Sequence, residues 1–366
     1  MDAVNCCLGR TTVNEAIKET IGCDLGDRHS ELCVLSESGE VIGRPKVKTT
    51  LAGFREFFAE RAPTHVVIEV GAHSRWVNEL LSELGHRVTV ADPRKLKLIT
   101  ASNSKTDRND AEILARLGRA DVELLSPVIH RGTQAQADLA VAKARDLLVA
   151  NRTSLVNCIR GTVKSFGARL PDCEADAFHR RARSAVPEVL KPALEPLFES
   201  LVSLEKQIDA HEKTLEKIAE RYPDVKLMSQ PKGVGLLTAM VFMLTVEDKT
   251  RFENSRKAGA FLGMVPRKDQ SGASDKQLSI TKAGDPFVRK LLVNSANYIL
   301  GPFGEDSDLR RWGLKLAERG GKNARKRAKV AVARKLAVLM HRLWVTGEDY
   351  EPLRNAKLQK GQEATA

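Results

Sequence analysis

Two carboxylates of this sequence lie inside apolar runs that have the composition of buried strands. Asp24 interrupts the run Ile21–Leu25, "IGCDL", and Glu69 interrupts residues 66–70, "VVIEV". An unpaired carboxylate in an apolar strand costs several kcal/mol. Each of the two is therefore predicted either to pair with a basic side chain or to coordinate a divalent cation.

A second pair of carboxylates stands at the start of a predicted helix. In "KTDRNDAEILARL", Asp107 and Asp110 are three positions apart, so they project from one face with about 5–6 Å between their Cβ atoms. Acidic residues at a helix start also complement the helix dipole, which alone explains this pair. If adjacent strands present Asp24 and Glu69 to this helix, four oxygen donors surround one place, as one or two Mg²⁺ ions require. Two such ions would activate the attacking oxygen and stabilise the leaving oxygen of a phosphodiester.

The elements that must position these carboxylates follow from the residue pattern up to about Leu125. Three meandering strands followed by helix–strand alternation predict an α/β layer on a mixed sheet. The helix over residues 51–62 has an apolar face of Leu51, Phe54, Phe57 and Phe58. The predicted order is strand Ile21–Leu25, strand Glu31–Leu35, a turn, strand Val41–Lys48, helix 51–62, strand 64–71, helix 74–85 ended by Gly85, and strand 86–93. Asp27 and Asp92 are further candidate ligands that turn or cap roles explain as well.

From about residue 132 the pattern changes to long amphipathic helices. One is predicted from Gln134 to Phe166, and in a second the apolar residues from Leu201 to Ile218 step by three and four, which is coiled-coil spacing. His211 falls on the apolar seam of the second helix and is interpreted as a packing residue. The two helices pair either with each other or across a dimer, and the sequence leaves both possibilities open.

The last region, from about residue 221 to 345, combines a possible strand at "PKGVGLLTAM" with a strongly basic helix, and the tail after Tyr350 is predicted to be loose. One side of the basic helix is expected to pack and the other to meet phosphates, although a charge run is more often a solvated face. Each duplex phosphate neutralised would steepen the salt dependence of binding by about 0.9 log units. Its cations are Lys322, Arg325, Lys326, Arg327, Lys329, Arg334 and Lys335.

Composition narrows the functional class. A length of 366 residues favours two or three domains. The formal net charge of +12 favours a polyanionic partner. The six cysteines include no CxxC pair, so we expect reduced thiols and no zinc site. No apolar run is long enough to span a membrane and no secretory signal is evident, and the reduced thiols favour a cytoplasmic protein.

The segments "GCDLGDRHSELCVL", "VVIEVGAHSRWV" and "KTDRNDAEILARL" resemble the DEDD, RuvC-resolvase-like domain of insertion-sequence-110 family transposases, the bridge recombinases. The resemblance implies a ribonuclease-H-like sheet. It also implies that the family's four catalytic acids correspond to Asp24, Glu69, Asp107 and Asp110, which would bind Mg²⁺ or Mn²⁺ as two ions. The first 19 or so residues match nothing in the family core.

The last region carries two further resemblances. "LMSQPKGVGLLTAMVFMLTV" resembles a helix-hairpin-helix, in which Gly233 and Gly235 permit a tight turn and the following amides can bind a phosphate. "AGAFLGMVPRKDQSGASDKQLSITKAGDPFVRKLL" resembles the family's C-terminal domain and places its nucleophilic serine at Ser271. The run "ASDKQ" after "DQSG" departs from the glycine-rich basic run of many members. The surrounding cations are Arg267, Lys268 and Lys276, and the rival hydroxyls are Ser274, Ser279 and Thr281.

The resemblance implies a domain order and an activity. The predicted order is an N-terminal extension (1–19), a RuvC-like domain (20–130), a coiled-coil linker (131–222), a mostly helical transposase domain (223–347) and a flexible tail (348–366). The implied activity is RNA-guided strand exchange between donor and target DNA. A structured noncoding RNA would guide it, and a dimer or tetramer would combine the acids of one subunit with the serine of another. Two alternatives remain open: a metal-dependent nuclease for branched DNA that forms no covalent intermediate, and a non-catalytic nucleic-acid-binding protein.

Overall fold

The computed structural model describes residues 17–94, 106–271, 274–321 and 323–355. The chain divides into two compact units, Met1–His130 and Arg131–Ala366. The first is a mixed α/β unit and the second is almost entirely helical, so the α/β-plus-α fold class is confirmed at this level. The finer division of the second unit, and the separate tail and N-terminal extension, stay predictions.

The first unit is built on one mixed sheet of six strands in the order β3-β2-β1-β5-β6, with β4 paired to β2. Strands β1 and β2 are antiparallel, whereas β1, β5 and β6 are mutually parallel. The antiparallel hairpin and the later helix–strand alternation agree with the predicted order. The strands are β1 Thr20–Asp24, β2 His29–Leu35, β3 Val41–Gly43, β4 Lys46–Lys48, β5 His65–Glu69 and β6 Arg87–Ala91.

The prediction of one continuous strand over Val41–Lys48 is wrong. The segment forms two short strands that pair with different parts of β2. Pro45 lies between them, and its carbonyl accepts a hydrogen bond from the Leu32 amide at 2.9 Å. Proline has no amide hydrogen to donate to a ladder, so the strand breaks there.

Helices cover both faces of this sheet. On one face lie α1 (Leu51–Phe58) and α2 (Ser74–Glu83), where Phe54 and Phe58 are fully buried. Leu51 was predicted to share that buried face but is exposed, because it is the first residue of its helix and faces solvent. Helix α3 (Asp107–Ala120) covers the other face.

The second unit begins with the two predicted long helices, α4 (Thr133–Ser165) and α6 (Lys191–Ala219), separated by the short α5 (Phe178–Arg181). They pack along each other in antiparallel fashion within one chain. Arg152 of α4 donates to both carboxylate oxygens of Glu205 of α6, each at 3.1 Å. The pairing within the chain is therefore the alternative that the structure adopts.

The remaining elements form a helical domain around one apolar core. The segment "PKGVGLLTAM" was interpreted as a possible strand, which is wrong: from Leu236 onward it is helical. Every residue of that helix from Thr238 to Val246 is buried, so the sequence has no periodicity by which to distinguish strand from helix. Among the described residues, no helix is both long and apolar enough to cross a membrane. The elements are α7 Val225–Met228, α8 Leu236–Val246, α9 Arg256–Phe261, β7 Pro266–Ser271, β8 Ser274–Ile280, α10 Pro286–Leu300, α11 Asp308–Ala317 and α12 Ala324–Thr346.

Candidate metal centre and nucleic-acid interface

Asp24 and Glu69 are the last residues of two adjacent parallel strands, β1 and β5. The register pairs Gly22 with Val67 and Cys23 with Ile68, so the two carboxylates follow at the same edge of the sheet. Side chains alternate between faces along a strand. Since Val67 packs against α3, both carboxylates belong to the face that α3 covers. The predicted juxtaposition of these two strand ends is present.

Helix α3 approaches β1 closely at a glycine. A Cβ atom on Gly22 would lie 2.0 Å from the carbonyl oxygen of Ala111 and 2.4 Å from the amide nitrogen of Ala115. Only a residue without a side chain fits between these backbones. Asp110 directly precedes Ala111 and is 7% exposed, so this contact brings Asp110 to the part of the sheet that ends in Asp24.

Asp107 is the first residue of α3, as predicted, and its side chain is exposed. The helix start is capped by Thr106, whose Oγ1 accepts a hydrogen bond from the Asn109 amide at 3.3 Å. All four predicted ligands supply carboxylate oxygens, which are the donors that Mg²⁺ takes. Within the described ranges, no three His, Cys, Asp or Glu side chains are arranged to hold a metal ion. The fold places Asp24 and Glu69 at adjacent strand ends and Asp110 on the helix that covers this face, and metal binding there stays a prediction.

A fifth carboxylate, Glu31, lies at the same edge and was not among the predicted site residues. The antiparallel register of β1 and β2 places it directly opposite Asp24, so the two share a face. Its side chain is 12% exposed, and its oxygens lie 2.8 Å from Lys46 Nζ and 3.9 Å from Arg108 Nε. Extending the predicted hairpin pairing of β1 and β2 would have revealed this neighbour.

The two spare acids differ in their surroundings. Asp92 accepts a hydrogen bond from the Arg94 amide at 3.1 Å, which confirms its interpretation as a turn residue. Asp27 is almost fully exposed, and one oxygen lies 3.9 Å from His73 Nε2.

Two other ionisable groups of the sheet, Cys23 and His65, are buried and are not among the predicted metal ligands. Burial, and then the charge of Asp24, raises the pKa of the Cys23 thiol, which keeps it protonated and unreactive. Burial, and then the charge of Arg87, lowers the pKa of His65 to about 4. His65 is therefore neutral near pH 7, and its Nε2 is 2.9 Å from Thr89 Oγ1.

In the second unit the predicted nucleophile lies at the tip of a two-stranded hairpin. Strands β7 and β8 are antiparallel, and their last pair is Ser271 opposite Ser274. Ser274 is thus the nearest rival by position, whereas Ser279 accepts a hydrogen bond from Arg267 Nη2 at 3.2 Å. Thr281 follows β8, and its amide donates to the Val265 carbonyl at 2.9 Å. The role of Ser271 stays a prediction.

The cations predicted to surround Ser271 belong to the same hairpin. Arg267 and Lys268 are exposed on β7. Lys276 pairs with Asp269 in the strand register, and the position of its side chain lies outside what the structure describes. The hairpin therefore carries its basic residues on both strands, next to its tip.

The predicted helix-hairpin-helix comprises α7, a loop and α8. Gly233 in the loop has a φ of +96°, and a Cβ there would lie 2.8 Å from Tyr298 Cδ1, so a glycine is required. Gly235 is the N-cap of α8 and has open space around it. No side chain of the described residues caps this helix start. The first amides of α8 can therefore donate hydrogen bonds to an anionic ligand.

The basic helix α12 has the buried face that was predicted, and contact of its other face with phosphates stays a prediction. Ala328, Val332 and Leu336 are buried, whereas three cations are exposed in the first turn. Cations at a helix N-terminus are disfavoured by the helix dipole, and within the described ranges no carboxylate forms an ion pair with them. An anionic ligand would relieve this repulsion. The three cations are Arg325, Lys326 and Arg327.

The other cations of α12 have different surroundings. Arg334 lays its stem over Gly259, where a Cβ would lie 2.8 Å from Arg334 Cγ. Lys335 Nζ lies 4.0 Å from the centre of the Trp312 ring. Lys322 lies outside the described residues. Arg334 and Lys335 remain exposed and Lys329 is half-buried, so the helix carries cations beyond its first turn.

Comparison with known proteins places both units. A family model described as a transposase, of the DEDD IS110 type, matches residues 21–167, and one described as "Transposase IS116/IS110/IS902 family" matches residues 225–303. The mixed α/β unit and the helical unit together are therefore those of a transposase, which is a DNA-processing enzyme. The chain belongs to the IS110/IS116 family of insertion-sequence transposases.

Full-length relatives agree with this assignment. The transposase for insertion sequence element IS1111A of Coxiella burnetii is 32% identical over 341 residues, which cover 90% of each chain. A putative transposase of Sinorhizobium fredii is 30% identical over 93% of this chain and 87% of the relative. A probable family 20 transposase of Pseudomonas aeruginosa is 27% identical over 91% of this chain and 98% of the relative.

Proposed function

We propose that this transposase is an RNA-guided DNA recombinase that moves its own insertion sequence. Asp24, Glu69, Asp107 and Asp110 would hold two Mg²⁺ or Mn²⁺ ions, and Ser271 would be the nucleophile. The ions, when bound, supply positive charge at the attacking and leaving oxygens of a phosphodiester. The resemblance of the sheet unit to a ribonuclease-H-like domain belongs to the same proposal.

The observation that carries this proposal is the shared edge of β1 and β5. Asp24 and Glu69 end two adjacent parallel strands on the face that α3 covers, and α3 carries Asp107 and Asp110; this neighbourhood supports a shared site. Helix-dipole compensation explains acids at the start of α3, but it does not explain Asp24 and Glu69 at two strand ends beside it.

The proposed chemistry of Ser271 is a phosphoryl transfer. Its oxygen would form a bond to phosphorus while the scissile P–O bond breaks and the leaving strand departs as a hydroxyl. Attack by the hydroxyl of the incoming strand would then break the phosphoserine bond and restore the serine. Bond energy is conserved in this way, so strand exchange needs no external energy source.

The remaining parts of the proposal concern nucleic acid and assembly. The first turn of α12, the start of α8 and the β7–β8 hairpin would contact the backbones of donor and target DNA and of a structured noncoding RNA. Base pairing with that RNA would select the sequence, while the protein reads backbone and shape. A homodimer or homotetramer would combine the acids of one subunit with Ser271 of another, in the cytoplasm at the nucleoid.

A strand-exchange assay with purified protein, donor and target DNA, Mg²⁺ and the RNA transcribed from the flanking DNA tests the proposal. We expect recombinant product only when both RNA and Mg²⁺ are present. Product without RNA would refute the guidance. Cleavage without a protein–DNA adduct would instead identify a nuclease for branched DNA.

A further inference from the structure

Phe303 is the most exposed of the large apolar side chains among the described residues, at 79%. It lies in the loop Gly301–Gly304 between α10 and α11. A single exposed apolar side chain needs no explanation by itself. The surroundings of this one give it a specific interpretation.

The loop that carries Phe303 is fixed by the protein. Arg310 Nη1 donates hydrogen bonds to the carbonyls of Gly301, at 2.7 Å, and of Ile299. A Cβ on Gly304 would lie 2.1 Å from the Ile299 carbonyl oxygen, so this turn packs against the end of α10. Pro302, directly before Phe303, has a fixed φ. The aromatic ring is therefore presented on a constrained turn, at a low cost in conformational entropy on binding.

The same loop adjoins the helix-hairpin-helix. Tyr298, at the end of α10, packs against Gly233 of the hairpin, and its ring remains partly exposed. Lys232 Nζ lies 3.4 Å from Glu305 Oε1, so the two loops are joined by an ion pair. The loop that carries Phe303 thus adjoins the loop that precedes α8, whose uncapped start can bind a phosphate.

We propose that Phe303 stacks on an unpaired base of DNA whose backbone is held at the hairpin. The inference rests on the proposed function, because strand exchange requires bases to leave their complement. Aromatic side chains beside groups that hold the backbone are the usual platform for such bases. The two acids that follow, Glu305 and Asp306, are paired with Lys232 and Arg311 respectively.

A protein partner fits this surface less well. Protein interfaces have an extended apolar centre, whereas the residues beside Phe303 are Pro302, two glycines and the charged Glu305. Tyr298 is the aromatic neighbour on the hairpin side. An isolated aromatic ring with a flat face therefore matches one base better than a protein surface.

The test compares two DNA probes bound to the full chain by fluorescence anisotropy. One is a fully paired duplex, and the other is the same duplex with a short run of unpaired bases that contains 2-aminopurine. We expect Phe303→Ala to weaken binding of the second probe by roughly fivefold to a hundredfold, with little change for the first. It should also restore the 2-aminopurine fluorescence that stacking quenches, and Phe303→Trp should preserve both properties.

Phe166→Ala is the matched control, because Phe166 is also an exposed phenylalanine of the second unit, at 58%. It should change neither probe. An equal loss on both probes, no change in Phe303→Ala, or a change in oligomer mass without a change in DNA binding would overturn the inference. If the unmodified chain recombines DNA but Phe303→Ala matches it, only this inference fails. If the unmodified chain binds neither probe, the proposed function fails with it.

Discussion

Gly22 of β1 and Ala111 of α3 are in backbone contact, so close that one added methyl group would lie 2.0 Å from the Ala111 carbonyl oxygen. Neither backbone can move without displacing a strand or a helix from the core. The contact therefore sets the distance between the strand that ends in Asp24 and the helix that carries Asp110.

The first prediction follows from this contact. Gly22→Ala should destabilise the chain by at least about 3 kcal/mol, because overpacking by one methylene already costs about 1–3 kcal/mol and here the obstacle is backbone. Urea unfolding followed by circular dichroism measures the change. Gly71→Ala is the control, since a Cβ there meets no atom within 4 Å and should alter stability by no more than about 0.5 kcal/mol. Equal stabilities of the two variants would contradict the packing.

The second prediction concerns the acids. Each single substitution should lower strand cleavage by more than about a hundredfold, since even indirect partners of a metal ion contribute 10–100-fold. RNA and DNA binding should stay within a few-fold, because affinity depends on the cationic surfaces. Asp92→Asn is the control and should remain active, as its carboxylate caps a turn. If any of the four variants carried out strand transfer in Mg²⁺, the substituted residue would not be a required metal ligand. The variants are Asp24→Asn, Glu69→Gln, Asp107→Asn and Asp110→Asn.

The third prediction concerns the first turn of α12. Replacing Arg325, Lys326 and Arg327 together by glutamine should weaken duplex binding and lower the salt slope by up to about 2.7, that is about 0.9 for each of three charges. Titrations at several salt concentrations give the slope. An equal charge change on exposed α6 lysines, by Lys206→Gln, Lys213→Gln and Lys217→Gln, is the control. An unchanged slope in the α12 variant would mean that its cations only face solvent.

The fourth prediction concerns the nucleophile. Ser271→Ala and Asp107→Asn should each remove the same step, so the double variant should be no worse than either single variant. A nicked or modified target should trap a DNA–peptide adduct that mass spectrometry locates at Ser271. Ser274, its cross-strand partner at the hairpin tip, is the internal control. An adduct at Ser274, or recombination by Ser271→Ala, would assign the reaction to another hydroxyl.

The fifth prediction concerns pH. Since the folded chain holds the pKa of His65 near 4, below the usual 6.5, the unfolded chain binds a proton first as the pH falls. The contribution of neutral His65 to the free energy of unfolding is therefore fully present above about pH 6.5. It declines by up to about 3 kcal/mol as the pH falls to 4. His65→Gln keeps a donor for Thr89 but does not titrate. Its free energy of unfolding should depend less on pH than that of the unmodified chain between pH 6.5 and 4.5; parallel curves would refute this.

Where local pattern determines structure, the sequence was sufficient. The apolar runs of β1 and β5, the acids at the start of α3 and the apolar steps of α4 and α6 each report a local conformation, and all of these elements are present. Pro45 stands in the predicted strand, but whether it breaks the strand depends on which neighbouring strand would accept a hydrogen bond from that position, because proline has no amide hydrogen to donate. Helix α8 was missed because complete burial erases the periodicity that marks a helix.

Contacts between segments that are distant in the sequence could not be predicted from it. Nothing in "IGCDL" shows that Gly22 is the place where α3 approaches, because this depends on packing across 89 residues of chain. Glu31 is not evident as a site residue because it meets Asp24 through the pairing of two strands, and no fixed spacing in the sequence marks that pairing. The turn that presents Phe303 likewise depends on the Arg310 hydrogen bonds, which no motif records.

Helix α8 has a mechanical consequence for the hairpin that precedes it. Its residues from Thr238 to Val246 are buried in the apolar core of the second unit, and its free end is the hairpin itself. A strand held there would pull on the centre of the domain and not on a compliant surface loop. Tension on a bound strand would therefore be transmitted to the packed core of the unit.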